Sequence, residues 1–403
     1  MSKAIISGSF NYETLEETLD VKAKGAELFI GIPKETAFQE NRIGLIPEAV
    51  SVLVNNGHDV WVESKAGEGS RYSDRDYSEA GAKIKYSKEE IYNCDILVKT
   101  APVVEEDLPL LKLNHTIISP IHLSAMKTEI LEQMMAKKIT GLSFENLKDE
   151  SGTFPIVRSM SEIAGSAAML IAGQYLSAAG EGKGILLGGI SGIPPTKVII
   201  LGAGVVGEFA ARAALAMGSS VKVFDTSVYR LKRLQDTMGH RVWTSVIEPR
   251  ILAKQLRSCE VAVGALSSQN GRTPVVVREE WVADMRPGSV IIDVSIDRGG
   301  CFETSEITTY DKPTFIKHDV IHYCVPNIPS GFSRTASHAI SNVLMPMLRD
   351  MADAGGFDPY AWNNFNMRNG IYLYKGALTN FHLSERFDLK YTDLNLLFAS
   401  LGR

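Results

Sequence analysis

The order of apolar runs in the sequence predicts an α/β fold built on two largely parallel sheets. Three observations carry this reading. From Leu28 onward, short strand-like apolar runs alternate with runs of helical spacing, the pattern of βαβ units. The same alternation is set up a second time after residue 197. Finally, 403 residues exceed what one core normally organises, while 45% hydrophobic and 22% charged residues are ordinary for globular domains.

Taken in order, LFIGI (28–32) is a short apolar strand, and EAVSVLVNNG (48–57) has helical spacing and ends on glycine. DVWVES (59–64), CDILVKT (94–100) and HTIISPI (115–121) read as strands. TEILEQMMAKK (128–138) reads as a helix and ITGLSFE (139–145) as a further strand. A polar turn, KDESG, ends near Ser151–Gly152 and marks a boundary before the long helical stretch 161–179, whose Ala and Gly spacing suits close helix packing. The glycine- and proline-rich run GEGKGILLGGISGIPP (180–195) reads as a loop into the second unit.

Charge and cysteine content narrow the function classes. A net charge of -5 leaves no domain-wide basic excess to neutralise nucleic-acid phosphates. Cys94, Cys259, Cys301 and Cys324 are scattered without a CxxC pair, so they are expected as reduced thiols, with no metal site. No run approaches the roughly 18 apolar residues of a membrane span, and the N-terminus is unlike a secretory leader, so the expected compartment is the cytoplasm. Within residues 1–27, Tyr12–Lys24 reads either as an amphipathic helix docking on the body or a neighbouring subunit, or as a loosely packed extension.

The sharpest chemistry lies in 197–227. VIIL (198–201) is continuous and apolar, as a strand buried on both faces should be. Gly202, Gly204 and Gly207 form G-x-G-x-x-G: a tight turn, a close approach of backbone to pyrophosphate, and close packing of helix on strand. The following helix would aim its free N–H groups at the phosphates. Asp225 lies 18 residues after Gly207, at the end of the next strand, VKVF (221–224). A carboxylate there accepts from ribose hydroxyls and repels a 2′-phosphate, so the expected cofactor is NAD. Arg230 and Lys232 just beyond are read as solvated helix residues.

The flanking segments resemble the alanine dehydrogenase family, which includes the nicotinamide-binding subunit of transhydrogenase. The resemblance is carried by IGIPKET and ENRIGLIPEAV (within 30–50), AGEGSRYSDRDYSEAGA (66–82), FPIVRSMSEIAG (154–165), GKGILLGGISGIPP (182–195), RPGSVIIDVSIDRGGCFETS (286–305) and HYCVPNIPSGFSRTASHAISN (322–342). It implies two Rossmann-like domains. The NAD-binding domain (156–333) is inserted into a discontinuous substrate domain (28–155 and 334–403), and residues 1–27 form an N-terminal extension. It also implies a homo-oligomer, a hexamer in many members, and reversible oxidative deamination of L-alanine to pyruvate and ammonium.

Residue by residue, the resemblance makes Arg42 the substrate-carboxylate arginine, a task suited to a planar guanidinium. It makes His122, in SPIHLSA, the active-site acid/base, since imidazole titrates near neutrality. Asp297 would act on the substrate amine or on water, and Asp293 would be structural. Met160 would lie beside the substrate and Ser161 beside the cofactor phosphates. Asn327 and Ile328 would cover the nicotinamide, and Val205, Leu266, Ser267 and Ile296 would complete the cofactor site. Arg298 stands where the family has glutamine, and Ile328 where it has methionine.

The family run L-K-V-K-E-P, whose second lysine holds substrate, is here Val98-Lys99-Thr100-Ala101-Pro102. Ungapped alignment from the strand puts Ala101 at that position, and alignment on Pro102 puts Thr100 there. Three readings stay open: Lys99 clamps substrate, Lys99 is structural in a working enzyme, or the chemistry is altered. A one-residue slip reverses the face of a strand side chain, so these readings differ physically. A single lysine before proline also fits saccharopine- or opine-type dehydrogenases. A non-catalytic, transhydrogenase-like NAD(H)-binding subunit is the reading of another class.

Overall fold

A computed structural model describes residues 25–121, 126–239, 241–267 and 271–400. The Tyr12–Lys24 segment lies outside the described residues, as does His122. The first sheet takes β1 (Phe29–Ile32), β2 (Asp59–Glu63), β3 (Lys83–Lys85), β4 (Ile96–Val98), β5 (Thr116–Ser119) and β6 (Thr140–Ser143). The second takes β7 (Lys197–Leu201), β8 (Ser220–Asp225), β9 (Trp243–Val246), β10 (Val261–Gly264), β11 (Val290–Asp293), β12 (Thr314–Lys317) and β13 (Val320–Tyr323). The chain then returns to the first sheet with β14 (Ile371–Tyr374) and β15 (Ala377–Leu378).

The strand orders are β15-β14-β6-β5-β4-β1-β2-β3 and β12-β13-β11-β10-β7-β8-β9. Strands β1 to β6 pair in parallel, as do β7 to β11 with β13; β12, β14 and β15 run antiparallel at the edges. Each sheet is therefore doubly wound, with strand order reversing between β1 and β4 in one and between β7 and β10 in the other. Ligands of such sheets bind at the carboxyl ends of the strands where the order reverses.

Both sheets are covered on both faces, which is why their strands read as unbroken apolar runs. Val198 and Ile200 enter one core and Ile199 and Leu201 the other, the two-residue period of a strand. In the first sheet, Ile96 and Val98 face one core and Leu97 the opposite one.

Two long helices join the units. The helix Pro155–Leu176 buries Ile156 in the first core and Ala164 to Leu176 in the second. It begins six residues before the expected start at 161, because Pro155 suits a first helical turn and needs no N–H partner there. Its Gly165 lies against the helix Val205–Ala216, where a Cβ would come within 2.3 Å of the Val206 carbonyl. The helix Ser333–Asp353 packs beside it and returns the chain to the first core through Ile340, Leu344 and Leu348. Among the described residues, no helix is long and apolar enough to cross a membrane.

Candidate active site

At the β7–β10 reversal the glycine turn has the geometry a dinucleotide needs. Gly202 has φ +118°, and a Cβ there would stand 2.3 Å from the Ala265 carbonyl. At Gly207 a Cβ would stand 1.9 Å from the Gly202 carbonyl, so helix and strand approach as closely as the motif implied. Gly204 caps the helix Val205–Ala216, and nothing lies within 4 Å of where its Cβ would be. Its open side, beside the unpaired N–H groups of a helix start, is room for a pyrophosphate.

Asp225 ends β8 and is 1% exposed. One of its carboxylate oxygens accepts from the Ala203 N–H at 2.7 Å and the other from Ser227 N–H at 2.8 Å. Each oxygen keeps a further lone pair, so this anchored carboxylate can still take a ribose hydroxyl. Arg233, absent from the sequence reading, donates to the Ala203 carbonyl at 3.3 Å and so stands beside the turn. Arg230 is half-buried and Lys232 exposed on the helix Val228–Met238. Leu266 and Ser267 follow β10, and Ser295 Oγ fixes the loop by donating to the Leu266 carbonyl at 2.9 Å. Ile296 is buried in the short 3-10 helix Val294–Arg298, while the Ser161 hydroxyl turns back on its own helix to the Val157 carbonyl at 2.8 Å.

The loop after β1 carries Gln39, Glu40, Asn41 and Arg42 to the seam with the second unit. There Ser330 Oγ donates to the Gln39 carbonyl at 2.6 Å, and Asn41 N–H donates to Ser330 Oγ at 2.8 Å. Tyr310 N–H donates to the Gln39 side chain at 2.7 Å, and the Tyr310 hydroxyl donates to the Asn327 carbonyl at 2.8 Å. Asn327, in the left-handed region at φ +54°, donates its N–H to Asp297 at 2.8 Å and its amide Nδ2 to Glu40 at 3.2 Å.

Arg42 is the centre of this cluster. Its Nε and Nη2 meet the two Glu40 oxygens at 2.7 and 2.5 Å, and its Nη1 points at the Met160 sulfur, 3.5 Å away. The Arg42 side chain is 10% exposed. Burial works against its charge, but the Glu40 hydrogen bond and carboxylate outweigh that, helped by Tyr310 and Asp297, so the guanidinium is held charged more firmly than usual. Four sequence-predicted residues, Arg42, Met160, Asn327 and Asp297, thus come together at one seam. Glu40, which joins them, was missed.

Lys99 does not join this group. Its ammonium lies 3.1 Å from Glu35 and 3.5 Å from Asp107, and its side chain is 4% exposed. Asp107 also accepts from Tyr92 Oη at 2.7 Å and pairs with Lys88 at 2.6 Å. Tyr92 and Leu97 belong to the core on the far side of β4, so alternation turns Lys99 away from the seam and Thr100 toward it. Thr100 Oγ1 donates to the Arg42 carbonyl at 2.9 Å. Of the three readings of this lysine, the geometry favours a structural one.

Asp293 is fully buried and accepts from Ser305 Oγ, Cys301 N–H and Ser295 N–H at 2.7, 2.9 and 3.0 Å, which folds the 294–305 loop that presents Asp297. Burial raises its pKa despite these bonds. All four cysteines are buried and free, and among the described residues no cluster of His, Cys, Asp and Glu could hold a metal ion.

Sequence-family comparison matches residues 31–164 to "Alanine dehydrogenase/PNT, N-terminal domain" and residues 168–381 to "Alanine dehydrogenase/PNT, C-terminal domain". The chain is 36% identical over 363 residues to "Alanine dehydrogenase 2" of Staphylococcus aureus (strain USA300), covering 90% of this chain and 97% of that one. A solved "L-alanine dehydrogenase" superposes with a TM-score of 0.82 at 33% identity, covering 89% of this chain and 99% of its own. A transhydrogenase from Sinorhizobium meliloti superposes with a TM-score of 0.75 at 21% identity, over 87% of this chain and 99% of its own, a likeness of fold.

Proposed function

The chain belongs to the alanine dehydrogenase/PNT family, and from that premise we propose that it catalyses NAD-dependent, reversible oxidative deamination of L-alanine to pyruvate and ammonium. The observation that carries this reading is the meeting of Arg42, Met160, Asn327 and Asp297 at the seam between the two units. An amino-acid substrate needs a cation for its carboxylate and an acid/base group for its amine, held in one cleft beside a hydride acceptor. The open glycine turn, the helix start at Val205 and the anchored Asp225 fit NAD, which supplies the hydride acceptor when bound.

Arg42 binds the substrate carboxylate through the guanidinium edge that Glu40 leaves over, with Met160 as the apolar wall beside it. Asp297 faces the amine or the water that replaces it, held in place by the Asn327 N–H. His122 holds or donates the proton at the substrate's carbonyl oxygen, a role resting on its sequence position. Asn327 and Ile328, in the turn fixed by Tyr310, cover the reacting face, and Val205, Leu266, Ser267, Ile296 and Ser161 line the nucleotide. Lys99 serves the fold, and Thr100 takes the position beside Arg42.

The two sheets support a domain division into 28–155 with 334–403 for substrate and 156–333 for NAD. The chain works as a homo-oligomer, a hexamer by resemblance, in the cytoplasm. Self-association is supported by Leu170, Leu186, Ile190 and Ile193, all more than half exposed on the helix Pro155–Leu176 and on the loop packed along it. The test is NADH oxidation with pyruvate plus ammonium against a panel of other 2-oxo acids. Turnover is expected with pyruvate foremost; no turnover with any of them, despite measurable NADH binding, overturns the proposal.

A further inference from the structure

We infer that Glu40 is a positioning residue of this site, a bridge that fixes the guanidinium plane of Arg42 and couples it across the seam to Asn327 and Asp297. This rests on the reading of Arg42 as the substrate-carboxylate clamp. A guanidinium has two edges able to grip a carboxylate, the Nε/Nη2 side and the Nη1/Nη2 end. Glu40 takes the first completely, at 2.7 and 2.5 Å. The end-on edge is left, and among the described residues its Nη1 meets the weakly accepting Met160 sulfur at 3.5 Å. A buried arginine with one edge locked and the other facing a thioether is an oriented, unsatisfied donor pair, and a substrate carboxylate supplies the acceptors that edge lacks.

Glu40 also reaches the other unit. The oxygen that accepts from Arg42 Nη2 accepts from Asn327 Nδ2 at 3.2 Å, and the Asn327 N–H holds Asp297 at 2.8 Å. The chain Arg42–Glu40–Asn327–Asp297 therefore runs from the carboxylate end of the substrate to its amine end. The step from Arg42 to the Asn327 side chain passes through one 4%-exposed carboxylate. Because Asn327 sits in the turn that Tyr310 and Ser330 tie to Gln39 and Asn41, the bridge lies inside the contact that joins the two units. Reaction geometry tolerates little error, so a residue that sets this spacing affects rate without touching substrate.

The experiment compares Glu40→Gln, Glu40→Ala and Asn327→Ala, with the double variant Glu40→Gln/Asn327→Ala, in the full-length chain. Kinetics with pyruvate and ammonium are read alongside NADH affinity, Tm and calorimetric binding of oxamate to the NADH-loaded protein. Loss of hydrogen bonds to a charged group predicts a fall of about 30-fold in kcat/KM for pyruvate in Glu40→Ala. Glu40→Gln, which keeps one acceptor for Nε, should recover part of it, with NADH affinity and Tm close to wild type. In the double variant the effects should be less than the product of the singles, since both cut the same bridge. An unchanged or lowered KM in Glu40→Ala, multiplicative effects in the double variant, or a loss that tracks Tm alone each overturns the inference. Oxamate binding separates the two readings: a wild-type chain that binds oxamate, with an affinity that falls in Glu40→Ala, but never turns over pyruvate retains the bridge and loses the proposed reaction.

Discussion

Lys99 and Glu35 form a buried ion pair at 3.1 Å, and the second oxygen of Glu35 accepts the backbone N–H of Thr100 at 2.6 Å and of Ala101 at 3.0 Å. The carboxylate thus folds the segment after β4 and sets Thr100 beside Arg42, with Lys99 as its counter-ion. Burial opposes the Lys99 charge, and Glu35 and Asp107 more than restore it. Replacing Lys99 by Ala would leave the buried Glu35 without its ammonium and Asp107 with Lys88 alone, a loss on the order of 3–5 kcal/mol of stability. A Tm lowered by several degrees, with KM for pyruvate little changed below the transition, is the expected result. An unchanged Tm with a KM raised by orders of magnitude would return Lys99 to the substrate.

Asp225 should decide which nucleotide the glycine turn accepts. Its carboxylate is anchored at Ala203 and Ser227, and in the proposed site it would face the ribose and repel a 2′-phosphate. Replacement by Ala removes the repulsion, and Arg233 close by offers a cation to a phosphate. NADPH should then become usable, with the NADH-to-NADPH ratio of kcat/KM falling roughly tenfold or more, the size of one lost charge interaction. A ratio unmoved by Asp225→Ala would take the residue out of nucleotide choice.

The strands were legible where both faces are buried, as at VIIL (198–201), since so short and continuous an apolar run is the pattern of a strand covered on both faces. Short polar strands such as β3 and β12, which are only partly buried, left no comparable signature. The helix start was misplaced because Ser161, which resembles a cap, bonds back to the Val157 carbonyl inside the helix. The face of Lys99 turned on a register of one residue, which alternation alone cannot anchor until Val98 and Thr100 are seen against Gly44 and Arg42. Glu40 was invisible because its partner in the other unit, Asn327, lies 287 residues away along the chain.

Arg42→Lys should be damaging despite the retained charge. An ammonium cannot meet both Glu40 oxygens in the guanidinium plane and still offer a second edge to substrate. KM for pyruvate is expected to rise roughly 10- to 100-fold, the worth of a charged hydrogen-bond pair, while NADH affinity measured by fluorescence stays within a factor of about two. Wild-type KM in Arg42→Lys would assign the carboxylate to another residue.

Stability should fall on acidification before the carboxylates titrate. Burial pushes the His322 imidazole down to about 4, between the Val320 carbonyl and Thr304 Oγ1 and stacked on Phe315. His115 is likewise pushed down to about 4 by burial. With folded pKa values below the unfolded value of about 6.5, the unfolded chain binds more protons. The stabilisation these neutral rings provide is complete above that value and is lost as pH falls toward 4. Urea midpoints should therefore drop between pH 6.5 and 4.5, and His322→Gln should flatten part of that slope. A slope identical in His322→Gln and wild type would place the acid sensitivity elsewhere.

Gly204 and Gly207 should separate binding from folding. Gly204 has φ −79°, open to any residue, and no atom within 4 Å of a new Cβ, so Gly204→Ala costs the apo fold little. The methyl would instead occupy the space through which backbone approaches the pyrophosphate. At Gly207 the same methyl meets the Gly202 carbonyl at 1.9 Å, which pushes the helix Val205–Ala216 off β7 and strains the second core. Gly204→Ala should keep its Tm within about 2 °C and weaken NADH binding at least tenfold, whereas Gly207→Ala should lose both, with Tm lower by several degrees. Equal loss of Tm in the two variants would mean that the turn at Gly204 is packed rather than open, and that the pyrophosphate lies elsewhere.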